Sequence, residues 1–116
     1  MRKVLTILIA VLGTISIAHA SLIETKDQAA VCSNGQQATF IVSASKSNDW
    51  FVYFEGGGVA ISPDAYKKRQ NRWKIPRRDK NYGLDYHIVK DFKEKGLNVV
   101  VIPYCTSDLH QGAHTN

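Results

Sequence analysis

Trp50-Phe51-Val52-Tyr53-Phe54-Glu55 runs directly into Gly56-Gly57-Gly58, so an apolar run ends in residues without side chains. Glycine there removes every Cβ, admits positive φ, and lets peptide N–H groups approach a ligand more closely than any other residue type allows. Amides presented in this way stabilise negative charge that develops on an oxygen, as in the oxyanion hole of acyl transfer. An ordinary glycine turn would use the same residues, so the triplet alone leaves both readings open. A second polar string, Pro103-Tyr104-Cys105-Thr106-Ser107-Asp108-Leu109-His110-Gln111-Gly112, leaves another apolar run, Leu97 to Ile102.

Within that string, Asp108, His110 and His114 invite a metal reading, because His110 and His114 stand four apart. On a helix this spacing lets two imidazoles share an ion, but Gly112 lies between them and no helical period supports one. Zinc sites also need three or four protein ligands with a fixed outer shell. No metal and no cofactor is therefore expected. Asp108 and His110 are read instead as pocket-lining or backbone-bonding residues. Glu55, beside the glycines, is expected to orient its neighbours through a hydrogen bond rather than to transfer a proton. His87 reads as a surface residue. Trp73 and Tyr82, which flank basic residues, suit either stacking on sugar rings or packing within a loop.

The elements that would position these groups follow from periodicity and punctuation. Gln37 to Ser45 has the β-branched content of a strand and follows the turn signal Ser33-Asn34-Gly35. Lys46-Ser47-Asn48-Asp49 reads as a polar, hairpin-like connection. Trp50 to Glu55 is nearly continuously apolar, which predicts a strand covered on both faces. Ser62-Pro63-Asp64 starts a helix, with Ser62 as N-cap and Pro63 in the first turn, ending near Asn71. Arg72 to Tyr82 holds Pro76, lacks an apolar period and reads as a loop. From Asp85 a second helix puts Ile88, Val89 and Phe92 on one face, and Gly96 stops it. Leu97 to Ile102 is then a further strand. Strand, helix and strand in this order imply parallel neighbours in an α/β sheet, with Gly56-Gly57-Gly58 and residues 103–116 on one rim.

The ends and the charge bound the class. Arg2 and Lys3, the apolar run Val4 to Ile17, and Ala18-His19-Ala20 as a small-x-small site read as a cleaved secretory signal peptide over residues 1–20. The 17 residues from Val4 to Ala20 lie at the short limit for a membrane span and have no basic flank after them. Without Arg2 and Lys3 the chain from Ser21 carries 13 basic against 10 acidic residues. The excess is local: Lys67, Lys68, Arg69, Arg72, Lys74, Arg77, Arg78 and Lys80 stand against Asp79 alone, a surplus of +7 within 14 positions. A solvated loop or a polyanion-binding segment would carry it, and export favours an acidic polysaccharide over nucleic acid as the ligand. Secretion or a periplasmic location also permits a bridge between Cys32 and Cys105, although Cys105 also suits a free buried thiol and either cysteine another partner.

Three blocks together resemble the pectin acetylesterase/Notum family. Val99-Val100-Val101-Ile102-Pro103-Tyr104-Cys105-Thr106 with Asp108, His110 and Gly112 is similar to its V-x-x-PYC-[TS]-G-D-x-H-x-G segment. Tyr53 to Gly58 is similar to Y-[LF]-[EQ]-GGG, and Cys32-Ser33-Asn34-Gly35 to C-x-[DN]-G. The blocks occur in the family's order and run from Cys32 to about Asn116. Val59-Ala60-Ile61 departs from the family, which places an aromatic residue or Ala and then Cys after the glycines, and Ser107 replaces a glycine.

The resemblance implies an α/β-hydrolase fold and hydrolysis of a carboxylic ester by a Ser-Asp-His triad, on acetylated acidic polysaccharide or a related ester. It implies that the Gly58 and Val59 amides are oxyanion donors, with Gly57 shaping the turn; Tyr104, Asp108 and His110 are the candidate substrate-binding residues beside them. The nucleophile of such enzymes sits in a G-x-S-x-G elbow. None of Ser33, Ser43, Ser45, Ser47, Ser62 or Ser107 has those neighbours. Residues 21–116 are thus expected to be the N-terminal part of an incomplete α/β-hydrolase-like sheet, carrying the oxyanion loop without an attacking group. The other class of function is a non-catalytic secreted module that binds a polyanion through residues 67–80. Neither nucleic acid nor, after signal cleavage, a membrane is an expected partner.

Overall fold

The computed structural model describes residues 19–72 and 78–106. Its elements are β1 (Ala20–Glu24), β2 (Thr39–Ser43), β3 (Trp50–Phe54), α1 (Pro63–Arg72), α2 (His87–Glu94) and β4 (Asn98–Ile102). All four strands form one mixed sheet in the order β1-β2-β4-β3. β1 and β4 each run antiparallel to β2, whereas β3 and β4 are parallel, with Trp50 opposite Asn98 and Phe54 opposite Ile102. This parallel pair is the one that strand–helix–strand order predicts, and its crossover carries both helices.

Register sets which side chains meet. Leu22 pairs with Ile41, Ile41 with Val101, and Tyr53 with Val101, so these four lie in a row on one face. α2 covers that row. Val89 from the helix and Ile41, Val99 and Val101 from the sheet are all 0% exposed, and the Phe92 ring stacks on Phe51 with centroids 4.1 Å apart. The helix ends as its glycine predicts. Gly96 at φ +85° lets its own N–H reach Lys93 O and the Leu97 N–H reach Phe92 O, the paired bonds of a Schellman cap. α1 begins as predicted too, with Ser62 Oγ accepting the Ala65 N–H at 3.2 Å.

Several expectations need correction. β3 is covered on one face, not two: Trp50, Val52 and Phe54 are 56%, 45% and 57% exposed, while Phe51 and Tyr53 face the core. Its apolar run fills both parities, but only one of them meets α2. The connection after β2 is not a hairpin, because β4 lies between β2 and β3. The first residue of β4 pins it there. Buried Asn98 donates to Ser47 O at 2.7 Å and Asp49 O at 3.0 Å and accepts the Ser45 N–H at 2.6 Å, replacing the ladder that a hairpin would have had. α2 starts at His87 rather than Asp85, because turns closed by Tyr82, Leu84 and Tyr86 precede it. Ile88, expected on the inner face with Val89 and Phe92, is 47% exposed. β1 was not expected from the sequence, and it includes Ala20, the last residue of the predicted signal peptide.

The cysteines are bonded to each other. Cys32 and Cys105 form a disulfide 73 residues apart in sequence with Cα atoms 4.9 Å apart. A loop of that length corresponds to about 4 kcal/mol in the chain-entropy account. The bridge ties the turn before β2 to the exit of β4, where the Ser33 N–H also donates to Cys105 O at 2.8 Å.

Candidate functional site

Beyond Phe54 the chain leaves the sheet edge and the glycines turn back over the end of β4. Two of the three glycines are required by their surroundings. A Cβ on Gly57 would stand 2.5 Å from Tyr104 Cδ1, so the backbone lies directly against that ring. Gly58 has φ +76°, a conformation that L side chains rarely adopt. Gly56 has neither constraint. The segment leaving β3 and the segment leaving β4 therefore meet on one rim, as parallel strands require.

Glu55 joins them. Its Oε2 accepts the Tyr104 N–H at 2.8 Å, and its Oε1 accepts the Tyr82 hydroxyl, with the Tyr86 hydroxyl 2.9 Å from both Oε1 and the Tyr82 oxygen. Each phenol has one proton, so Tyr82 donates to the carboxylate while Tyr86 serves one of its two neighbours. Burial pushes the Tyr86 phenol far above its ordinary range, and its hydrogen bonds to Tyr82 and Glu55 add to this. It remains a neutral donor across physiological pH. Glu55 thus acts as the orienting acceptor expected of it, and the turn over residues 79–86 is drawn onto the rim. Gly83 makes that turn fit: it has φ +73°, and a Cβ there would stand 2.8 Å from Val101 Cγ1.

From the other side α1 reaches back. The Arg69 guanidinium donates from Nη2 to Gly57 O and, at 3.3 Å, to Gly58 O. Tyr66, one turn earlier, donates its hydroxyl to Ser33 O at 2.8 Å. Two members of the basic cluster thus have work inside the chain, since Arg78 pairs with Glu24 at 2.6 Å on the surface.

Gly57, Gly58 and Tyr104 come together; Val59 follows them, 47% exposed, and Tyr104 is 8% exposed with its ring against Gly57. Asp108 and His110 lie outside the described residues, as do His114, Trp73 and Arg77. Tyr82 packs into the rim through Glu55, and His87 is on the surface, 3.3 Å from Asp91. Among the described residues no group of three or more His, Cys, Asp or Glu side chains is placed to hold a metal ion, and no helix is long and apolar enough to cross a membrane. An open groove of about 930 Å³ beside α2 is lined by Asp79, Tyr82, Tyr86, Lys90 and Glu94, among others, and does not include the glycines.

Sequence reasoning missed Arg69, Gly83, Tyr86 and Asn98. Arg69 was submerged in a run of like charges. Tyr86 had one faint signal, its position four residues after Tyr82 beside a lone carboxylate.

No family model matches the chain, and no curated protein does. Among solved structures, the Wnt deacylase Notum from Drosophila is similar over 86% of this chain, with 22% sequence identity and a TM-score of 0.65. The chain shares part of the fold of Notum. It spans 32% of the Notum chain, so the likeness concerns part of that fold. Notum is of the family that the three motifs resemble, and its similarity supports a mixed α/β fold here. The Cys32–Cys105 bridge is consistent with an extracellular protein, because disulfides persist in oxidising compartments.

Proposed function

We propose that these residues are the oxyanion-loop portion of a secreted carboxylic ester hydrolase of pectin acetylesterase type, acting on an acetylated acidic polysaccharide or a related ester. The observation that carries the reading is the junction of Gly57, Gly58 and Tyr104 on one rim, with Glu55 holding both segments. Attack on an ester carbonyl builds charge on its oxygen, and amides already fixed in place stabilise that charge without reorganising. In this reading the Gly58 and Val59 N–H groups are the donors, and Tyr104 supports the wall of the site. Asp108 and His110 would line it from the same exit.

The attacking serine comes from elsewhere in the protein to which this segment belongs. Four of the serines described here have structural tasks or no access: Ser45 Oγ donates to Gly96 O, Ser47 Oγ accepts the Asp49 N–H, Ser62 caps α1, and Ser43 is buried. The 116-residue chain alone should leave an aryl acetate unhydrolysed. Reading the coding DNA past Asn116 in all frames should reveal a glycine-flanked serine after an apolar strand. In the protein that carries both, Val59→Pro removes one donor and should lower kcat by roughly 10²–10³-fold with little change in KM. An unchanged kcat would remove this loop from the chemistry.

A further inference from the structure

We propose that Arg69 is a positioning residue for the loop, setting the direction of the Gly58 and Val59 N–H groups by holding the carbonyls on the far sides of their peptide planes. The inference deepens the oxyanion reading above and rests on it. A trans peptide is planar, with its C=O and N–H pointing in opposite directions. The carbonyl of Gly57 shares its plane with the N–H of Gly58, and the carbonyl of Gly58 shares its plane with the N–H of Val59. Arg69 Nη2 donates to both carbonyls. Both planes are therefore turned with oxygen toward α1, and both N–H groups leave on the side away from it.

Three further observations agree. Among the described residues neither the Gly58 nor the Val59 N–H has a hydrogen-bond partner, so what Arg69 orients is a pair of unspent donors. The loop has little else to fix it on this side: Gly56 and Gly58 have no side chain, and Gly58 stands at φ +76°. The Tyr104 ring also lies against Gly57, so a ring from the exit of β4 and a guanidinium from α1 both contact this part of the loop. The planar guanidinium holds the N–H groups of Nη2 in fixed directions, whereas an ammonium is a compact, rotatable point donor. The positive charge would also lend attraction to an anion on the N–H side, which makes charge and geometry separable by substitution.

The test uses the full chain labelled with ¹³C and ¹⁵N, its Arg69→Gln and Arg69→Lys variants, and sodium acetate at constant ionic strength as the oxyanion probe. Carbonyl ¹³C shifts of Gly57 and Gly58 report the Arg69 hydrogen bonds, and N–H residual dipolar couplings of Gly58 and Val59 report plane direction. Signals of Val99 and Val101 report that each variant is folded. The expected result is that Arg69→Gln moves both carbonyl shifts and both couplings and weakens the acetate response of the two amides about ten-fold. Arg69→Lys should keep the charge yet recover only part of the couplings and of the affinity. Unchanged shifts and couplings in Arg69→Gln overturn the clamp, as does full recovery by Arg69→Lys, which would assign the effect to charge alone. Acetate that fails to move the Gly58 and Val59 amides of the unsubstituted chain overturns the oxyanion reading instead, while the couplings still decide whether Arg69 turns the planes.

Discussion

The two faces of the sheet are made from the same kinds of residue and meet different fates. On one face Ile41, Val99 and Val101 are sealed under Val89 of α2. On the other, Trp50, Val52 and Phe54 of β3 remain about half exposed, although they belong to the same strand as the covered Phe51 and Tyr53. An apolar strand states that both of its faces can be buried. Whether they are depends on what packs there, and only one face here has a helix whose apolar side chains match its register. The covered face also leads to the glycine rim: Tyr53 meets the Tyr86 ring at 5.7 Å, and Tyr86 passes that contact to Glu55.

The sharpest way to break this contrast is at its centre. Ile41→Ala deletes a fully buried side chain between β1 and β4 and should cost about 2–5 kcal/mol, read as a lower midpoint in urea unfolding with the slope unchanged. A loss below about 1 kcal/mol would mean that this face is not the core.

A smaller effect belongs to the polar end of the covered face. Tyr86→Phe removes one hydroxyl from the Glu55 cluster and should cost about 1 kcal/mol at neutral pH. Its signature is at alkaline pH. Folding raises the Tyr86 pKa, so above the ordinary phenol value near 10 the unfolded chain loses a proton that the folded chain retains. That contribution is complete below pH 10 and drains away as pH rises beyond it. The unsubstituted chain should therefore lose stability more steeply above pH 10 than Tyr86→Phe, in paired urea titrations. Parallel alkaline slopes would show that the phenol is not held by the fold.

Much of this architecture was legible because its signals are local. The Ser62 cap, the Gly96 stop and the apolar run after it need only a few neighbouring residues to act, and the parallel pairing of β3 with β4 follows from the order of elements. What escaped was set by distant partners. Nothing near Asn98 indicates that it will be buried and bonded to three residues about fifty positions earlier, and β1 is a strand because β2 offers it a ladder. The rim divides in the same way. Gly56-Gly57-Gly58 announces itself, but the reason that Gly57 tolerates no Cβ is the ring of Tyr104, and the hold on its carbonyl comes from a charge that looked like one of eight.

The finest test lies on the open face. Val52→Thr keeps the branched shape and the strand propensity and replaces a methyl with a hydroxyl, which is costly only where water cannot reach it. At 45% exposure the hydroxyl stays hydrated, so the expected change is within about 0.5 kcal/mol, with less self-association in light scattering as apolar surface is removed from the sheet edge. Val52 lies opposite Val100 and next to Val101 in the register, only one pleat from the core. A loss above about 1 kcal/mol there would mean that this face is also covered, and the asymmetry that brings the rim to one side of α2 would no longer describe the fold.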